Sequence, residues 1–299
     1  MCDTFDLEEM TRKTNGWRDV NRRQFGAIGA VGAATTLAAC SGVESASADD
    51  ASGEASLTET PVSITTADGT MDAVLIHPAS GKHPAVILWP DIASLRDAKK
   101  MMARRTAAEG YTVLIANPYY RDAPAPQFAD FADFAGNGGW DKVTPWREKL
   151  NAEAIMRDTN SLVAWLDAQD SVDTAKGIGT EGYCMGGPFT VWSTAAEPTR
   201  VKAAASFHGG GLATDSEMSP HKLLGTATAS YLIAVAQNDD AKDPVSKVTF
   251  GDAAKAAGRA AEVEVYAADH GWTVLDSPVY EKAEAERAYA AKVALYGAM

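Results

Sequence analysis

Residues 182–187 read Gly182-Tyr183-Cys184-Met185-Gly186-Gly187, and their setting decides the fold. The residues before them, 177–179, are a short strand candidate, and 188–196 are a helix candidate that opens on Pro188. Proline is tolerated in a first helical turn, where its missing N–H would have no intrahelical acceptor. A G-x-C-x-G core between a strand and a helix is the nucleophile-elbow pattern, with sulfur in place of the serine oxygen. So tight a turn leaves no room for a Cβ on its flanking glycines. It lifts the nucleophile clear of the sheet and onto the positive end of the helix, where amide dipoles favour a thiolate. The competing reading of Cys184 is a buried structural cysteine.

Outward from this turn the chain alternates. Strand candidates fall at 62–66, 72–76, 85–89, 112–116, 177–179, 203–207, 231–236 and 262–266. Helix candidates fall at 95–109, 146–168, 188–196, 245–257 and 279–296. Such alternation predicts an α/β fold, a mostly parallel sheet of about eight strands with helices on both faces. The two early runs in close succession predict an antiparallel start. Residues 123–144 break the rhythm, with Phe128, Phe131 and Phe134 three apart before a Gly-rich tail. Two readings stand for them: a satellite core under a surface loop, or the wall of an apolar pocket.

A nucleophilic cysteine needs a base, and the base needs an orienting group. His270 stands in Ala268-Asp269-His270-Gly271-Trp272, after the last strand candidate and before the last helix. The strand at 231–236 runs into Gln237-Asn238-Asp239-Asp240, which offers Asp239 as the acid with Asp240 as its rival. The order Cys, Asp, His is that of α/β-hydrolase triads. Oxyanion donors are expected from the backbone N–H of Met185 and from the loop after 85–89, near Ile92. His208-Gly209-Gly210-Gly211 mimics a lipase oxyanion motif but lies downstream of the nucleophile. It reads instead as a strand-end loop bordering the pocket, with His208 structural.

GYCMGG, the QNDD strand end and the DHGW loop resemble the dienelactone hydrolase family over residues 84–296. The resemblance implies an α/β-hydrolase fold and cleavage of an ester or lactone by a Cys-His-Asp triad without metal or cofactor. It assigns Cys184 as nucleophile, His270 as base and Asp239 as orienting acid. Asp91 falls where the family has an acidic residue, usually Glu, that helps hold and activate the thiol. Arg121, in Pro118-Tyr119-Tyr120-Arg121, matches an arginine that binds the substrate carboxylate. A second such arginine, shortly after the histidine in the type enzymes, is replaced here by Gly271, Trp272, Thr273 and Val274. The departures at 91 and after 270 point to a neutral or singly charged ester or lactone.

The N-terminal 40 residues read as an address. Arg22-Arg23 precedes an uncharged, Gly/Ala-rich run over 25–39, too short to span a bilayer, which takes about 20 residues. The pair resembles a twin-arginine signal, and Leu37-Ala38-Ala39-Cys40 resembles a lipoprotein lipobox with Cys40 as the acylated residue. Residues 41–56 are small, polar and acidic and read as a flexible tether, leaving 57–299 as the folded domain. The expected location is the periplasmic or cell-surface side, with membrane contact through the lipid anchor alone.

Composition narrows the remaining classes. The net charge is −13, and residues 1–40 carry five charges of each sign, so the whole excess lies on the body. So acidic a body is a poor partner for nucleic acid or anionic lipid. With Cys2 and Cys40 in the address, Cys184 is alone in the body, which excludes a disulfide framework within it. A thiol redox protein lacks its C-x-x-C, and no histidine or carboxylate cluster has metal-ligand spacing. No obligate protein partner is evident. The surviving alternative to a small-molecule hydrolase is a binding lipoprotein that kept the fold without turnover.

Overall fold

The structure, a computed structural model, describes residues 56–299. The predicted signal, Cys40 and residues 41–55 of the tether lie outside that range. The chain enters through an antiparallel hairpin, β1 (Leu57–Thr66) and β2 (Gly69–Pro78), followed by β3 (Ala85–Trp89), α1 (Asp97–Ala108) and β4 (Thr112–Ala116). The excursion folds as α2 (Phe131–Gly136) and α3 (Gly139–Arg147), and α4 (Ala152–Asp167) leads into β5 (Ile178–Tyr183). After β5 come α5 (Gly187–Ala196), β6 (Val201–Phe207), β7 (Ser230–Ala236), α6 (Gln237–Lys242), α7 (Pro244–Ala256), β8 (Ala261–Tyr266) and α8 (Lys282–Tyr296).

The eight strands form one sheet in the order β1-β2-β4-β3-β5-β6-β7-β8. Only the β1–β2 and β2–β4 pairs are antiparallel. Successive strand side chains point to opposite faces, and both faces are dry, so β3 is apolar throughout. Ala85, Ile87 and Trp89 join Ile155, Leu162 and Leu166 of α4 on one side. Val86 and Leu88 join Ala103 and Ala107 of α1 and Ala285 and Ala288 of α8 on the other.

The single helix expected over 146–168 is two helices. Asn151 has extended backbone angles and its side-chain oxygen accepts from the Ala154 N–H at 2.9 Å, so a new helix starts there. β5 is longer than the 177–179 candidate and runs up to Cys184. In the excursion, Phe134 packs on Phe128, Phe131 and Trp140 with ring centroids 5.1–5.6 Å apart. All three phenylalanines are buried and join the α4-side core itself, and none of them lines the cavity beside Cys184.

Because β5, β6, β7 and β8 are neighbours and parallel, the residues that follow them share one edge of the sheet. That edge carries Cys184, His208, Asp239 and His270. Ligands of open α/β sheets bind outside such carboxyl ends.

Candidate active site

Cys184 opens a 3-10 turn between β5 and α5 with φ of +53°, a left-handed conformation that a non-glycine residue adopts at a cost. The glycines on either side are dictated by contact. A Cβ on Gly182 would stand 2.0 Å from the Gly186 carbonyl oxygen, and one on Gly186 would stand 2.5 Å from the Trp89 carbonyl. The second clash shows that the elbow is pressed against the end of β3, beside the loop that carries Ile92. Cys184 is 6% exposed, at the floor of a cavity.

The loops after β7 and β8 are stitched together. Gln237 N–H donates to the Ala268 carbonyl (3.0 Å), Gln237 Nε2 to Asp269 (3.1 Å) and His270 N–H to Asn238 Oδ1 (2.8 Å). This clasp sets His270 Nδ1 2.7 Å from Asp239 Oδ2, while Asp240 pairs with Lys247. Burial opposes a charge on His270. The Cys184 sulfur, by charge and hydrogen bond, and the Asp239 carboxylate overcome it and push the imidazole pKa up to about 10. An imidazolium held between a carboxylate and a thiol favours the thiolate form of the cysteine.

Asp91 is buried and fully engaged. Its oxygens accept from Arg96 Nη1 (2.7 Å) and Nη2 (3.0 Å) and the Ala93 N–H (3.0 Å), and Lys99 Nζ stands 2.9 Å away as an ion-pair partner. Burial works against its charge, but Arg96 and Lys99 hold the carboxyl well below its usual range. Arg96 continues to Asp276 at 2.7 Å, which in turn accepts from the Phe131 N–H at 2.9 Å. The structure thus places the Asp91 carboxylate between two buried cations. What it braces is the loop carrying Ile92. The Ile92 carbonyl accepts from the buried Tyr119 hydroxyl at 3.0 Å, and that hydroxyl also lies 3.3 Å from Met185 Sδ. Ile92 and Met185 both line the cavity beside Cys184. Met185 lies in the first turn after the strand, where backbone N–H groups lack intrahelical acceptors.

Residues 71–299 match the family model described as Dienelactone hydrolase family. The chain belongs to this family. A carboxymethylenebutenolidase-type protein of Escherichia coli (strain K12) is 27% identical over 212 residues, 70% of this chain and 74% of that one. Among solved structures, a dienelactone hydrolase-type protein of Klebsiella pneumoniae superposes with TM-score 0.68 at 22% identity, covering 82% of this chain and 100% of the other. A dienelactone hydrolase-like promiscuous phosphotriesterase from metagenomic libraries gives 0.64 at 20% identity, over 81% and 98%. These structures share the α/β fold.

Within the dienelactone hydrolase family frame, one expected residue is displaced. Arg121 does not line the cavity. Its guanidinium binds Asp158 at 2.7 and 2.9 Å and Asp68 at 2.6 Å, and it lies over the Tyr120 ring. Asp158 on α4 is 1% exposed and needs a cation, so Arg121 is held as structure. Sequence reasoning took Arg121 from the PYYR stretch, whereas the residue of that stretch at the site is Tyr119. The cavity, of about 420 Å³, is walled by Leu150, Phe189 and Trp192, with Arg147 as its cation. Among the described residues Arg147 has no acidic partner, and its guanidinium lies 5.8 Å from the Trp140 ring centroid. Nothing in the sequence singled it out, because α3 reaches the cavity only through the tertiary fold.

Proposed function

We propose that this chain is an exported hydrolase that cleaves an ester or lactone through Cys184, with His270 and Asp239 as its partners. The observation that carries the reading is the place of His270, with Asp239 at Nδ1 and the Cys184 sulfur hydrogen-bonded to the same ring. In the first step the thiolate attacks the carbonyl carbon, and the Ile92 and Met185 N–H groups receive the oxyanion. The His270 imidazolium gives its proton to the departing alkoxide, leaving a thioester. Neutral His270 then takes a proton from water, the hydroxide adds to the thioester, and collapse expels the thiolate and the carboxylic acid. Protein groups and water suffice for every step. With a lactone the leaving alcohol stays attached to the acyl group, so ring closure competes with hydrolysis.

The apolar walls of the cavity, with one cation, Arg147, and one carboxylate, Asp243, among its lining, support a neutral or singly charged ester or lactone as substrate. Arg22-Arg23 and the lipobox at Cys40 support export and lipid tethering, tested by release of a Cys40→Ser variant from the membrane fraction. The reaction is tested with reduced protein and p-nitrophenyl acetate, beside Cys184→Ala and an iodoacetamide-treated sample. Hydrolysis that disappears in both controls supports the reading. Undiminished hydrolysis by Cys184→Ala refutes it.

A further inference from the structure

We propose that His208 is a second imidazole on the nucleophile, holding the Cys184 thiolate through an N–H···S hydrogen bond from Nδ1 while keeping its own proton throughout. The inference deepens the triad reading above and rests on it. Strand order brings the residue there. β6 lies between β5 and β7, so His208, which follows β6, stands between the residues that follow those strands. Its N–H donates to the Ala234 carbonyl at 2.8 Å, continuing the pairing of β6 with β7. The loop after it is pressed onto the elbow, since a Cβ on Gly187 would stand 2.4 Å from Gly209 Cα.

The side chain is as constrained as the backbone. His208 has φ of +42°, left-handed like Cys184, and such strain persists where surrounding structure enforces it, often at functional sites. It is 1% exposed, with its ring centroid 4.7 Å from that of His270 and 5.3 Å from that of Trp272. Nε2 lies 3.1 Å from Thr273 Oγ1. If that hydroxyl donates, the imidazole proton sits on Nδ1, a buried atom that no acceptor meets in ordinary hydrogen-bond geometry. The neighbour that answers it is sulfur. Burial lowers the pKa of His208 while Cys184, as hydrogen-bond and charge partner, acts in the opposite direction. The two imidazoles are thus driven apart, His270 to the charged form and His208 to the neutral donor, which divides their roles. His270 trades protons with substrate and water, and His208 steadies the sulfur when it carries charge. A neutral N–H donor suits that task because it stabilises the thiolate without protonating it.

The test is iodoacetamide alkylation across pH 5–9 in the full-length reduced protein, followed by peptide mass at Cys184, which separates its label from any on Cys2 and Cys40. Variants are His208→Phe, His208→Gln and Thr273→Val, with p-nitrophenyl acetate turnover alongside. His208→Phe is expected to raise the alkylation midpoint by about one pH unit, about a tenfold loss of rate below it. His208→Gln, which keeps an N–H donor, should recover most of that loss, and Thr273→Val should shift the midpoint in the same direction by less. A profile unchanged in His208→Phe, or equal shifts in Phe and Gln, overturns the proposal, because packing alone then accounts for the residue. Should His208→Phe fail to fold, an unshifted Thr273→Val profile overturns it equally. Alkylation needs no turnover, so these results stand apart from failure of the triad reading, which shows as hydrolysis retained by Cys184→Ala.

Discussion

Replacing Asp239 by Asn keeps the size and an acceptor oxygen at His270 Nδ1 but removes the charge 2.7 Å away. The imidazole is held at about 10 against an ordinary 6.5, with burial opposing that elevation. A hydrogen bond to a charged group contributes about 1.5–3 kcal/mol. At about 1.4 kcal/mol per pH unit, its loss lowers the imidazole by about one to two units, into the range of about 8–9. The sign follows from the chemistry. In the proposed mechanism His270 acts as an acid while protonated, so activity that needs this acid persists at low pH and fails as pH rises through its pKa. An ethyl ester, whose alkoxide needs a proton to leave, should therefore show an alkaline limb near pH 10, and Asp239→Asn should bring it down by that amount. A p-nitrophenyl ester, whose phenolate leaves unaided, should show a much smaller change. The assay is pH-stat hydrolysis of both esters by wild type, Asp239→Asn and Asp240→Asn. An alkaline limb that stays in place in Asp239→Asn, or moves as far in Asp240→Asn, would refute the assignment, since Asp240 is engaged with Lys247.

Asp91→Asn leaves Arg96 and Lys99 buried without their counter-charge and should cost about 3–5 kcal/mol in urea unfolding. Because folding lowers the Asp91 pKa, its contribution is present above the ordinary 3.8 and is lost as pH falls below it, so wild type and variant should converge in acid. Gly186→Ala forces a Cβ to 2.5 Å from the Trp89 carbonyl and 2.7 Å from that of Pro90, and should cut p-nitrophenyl acetate turnover by more than about a hundredfold, as misplacing a nucleophile does. Arg121→Ala should lower stability by about 2–3 kcal/mol in urea unfolding, somewhat less than loss of a fully buried pair, and leave KM for carboxylate-bearing esters within twofold. A tenfold rise in that KM would return Arg121 to the substrate site.

Much of the architecture was legible because its signals are local. β3 and β4 were read to the residue, since a continuous apolar run between turn residues is a short-range pattern. The elbow was equally plain, because its glycines are dictated by atoms only a few residues away in chain or across one strand. The split between α3 and α4 was missed: the helical pattern ran through Asn151, and the cap that restarts the helix is a single side-chain bond.

By itself, the sequence determined the alternating fold, the cysteine at the turn after β5, and the order in which a base and an acid follow it. These depend on periodicity, backbone sterics and chain direction, all of which are written along one segment at a time. Only the tertiary structure chose Asp239 over Asp240, took Asp91 and Arg121 into ion clusters, brought Arg147 to the cavity and set His208 beside His270. Each of those outcomes is a competition among groups far apart in the chain. Which cation reaches which carboxylate, and which strand end stands next to which, is decided by sheet order and by the cost of burying a charge alone.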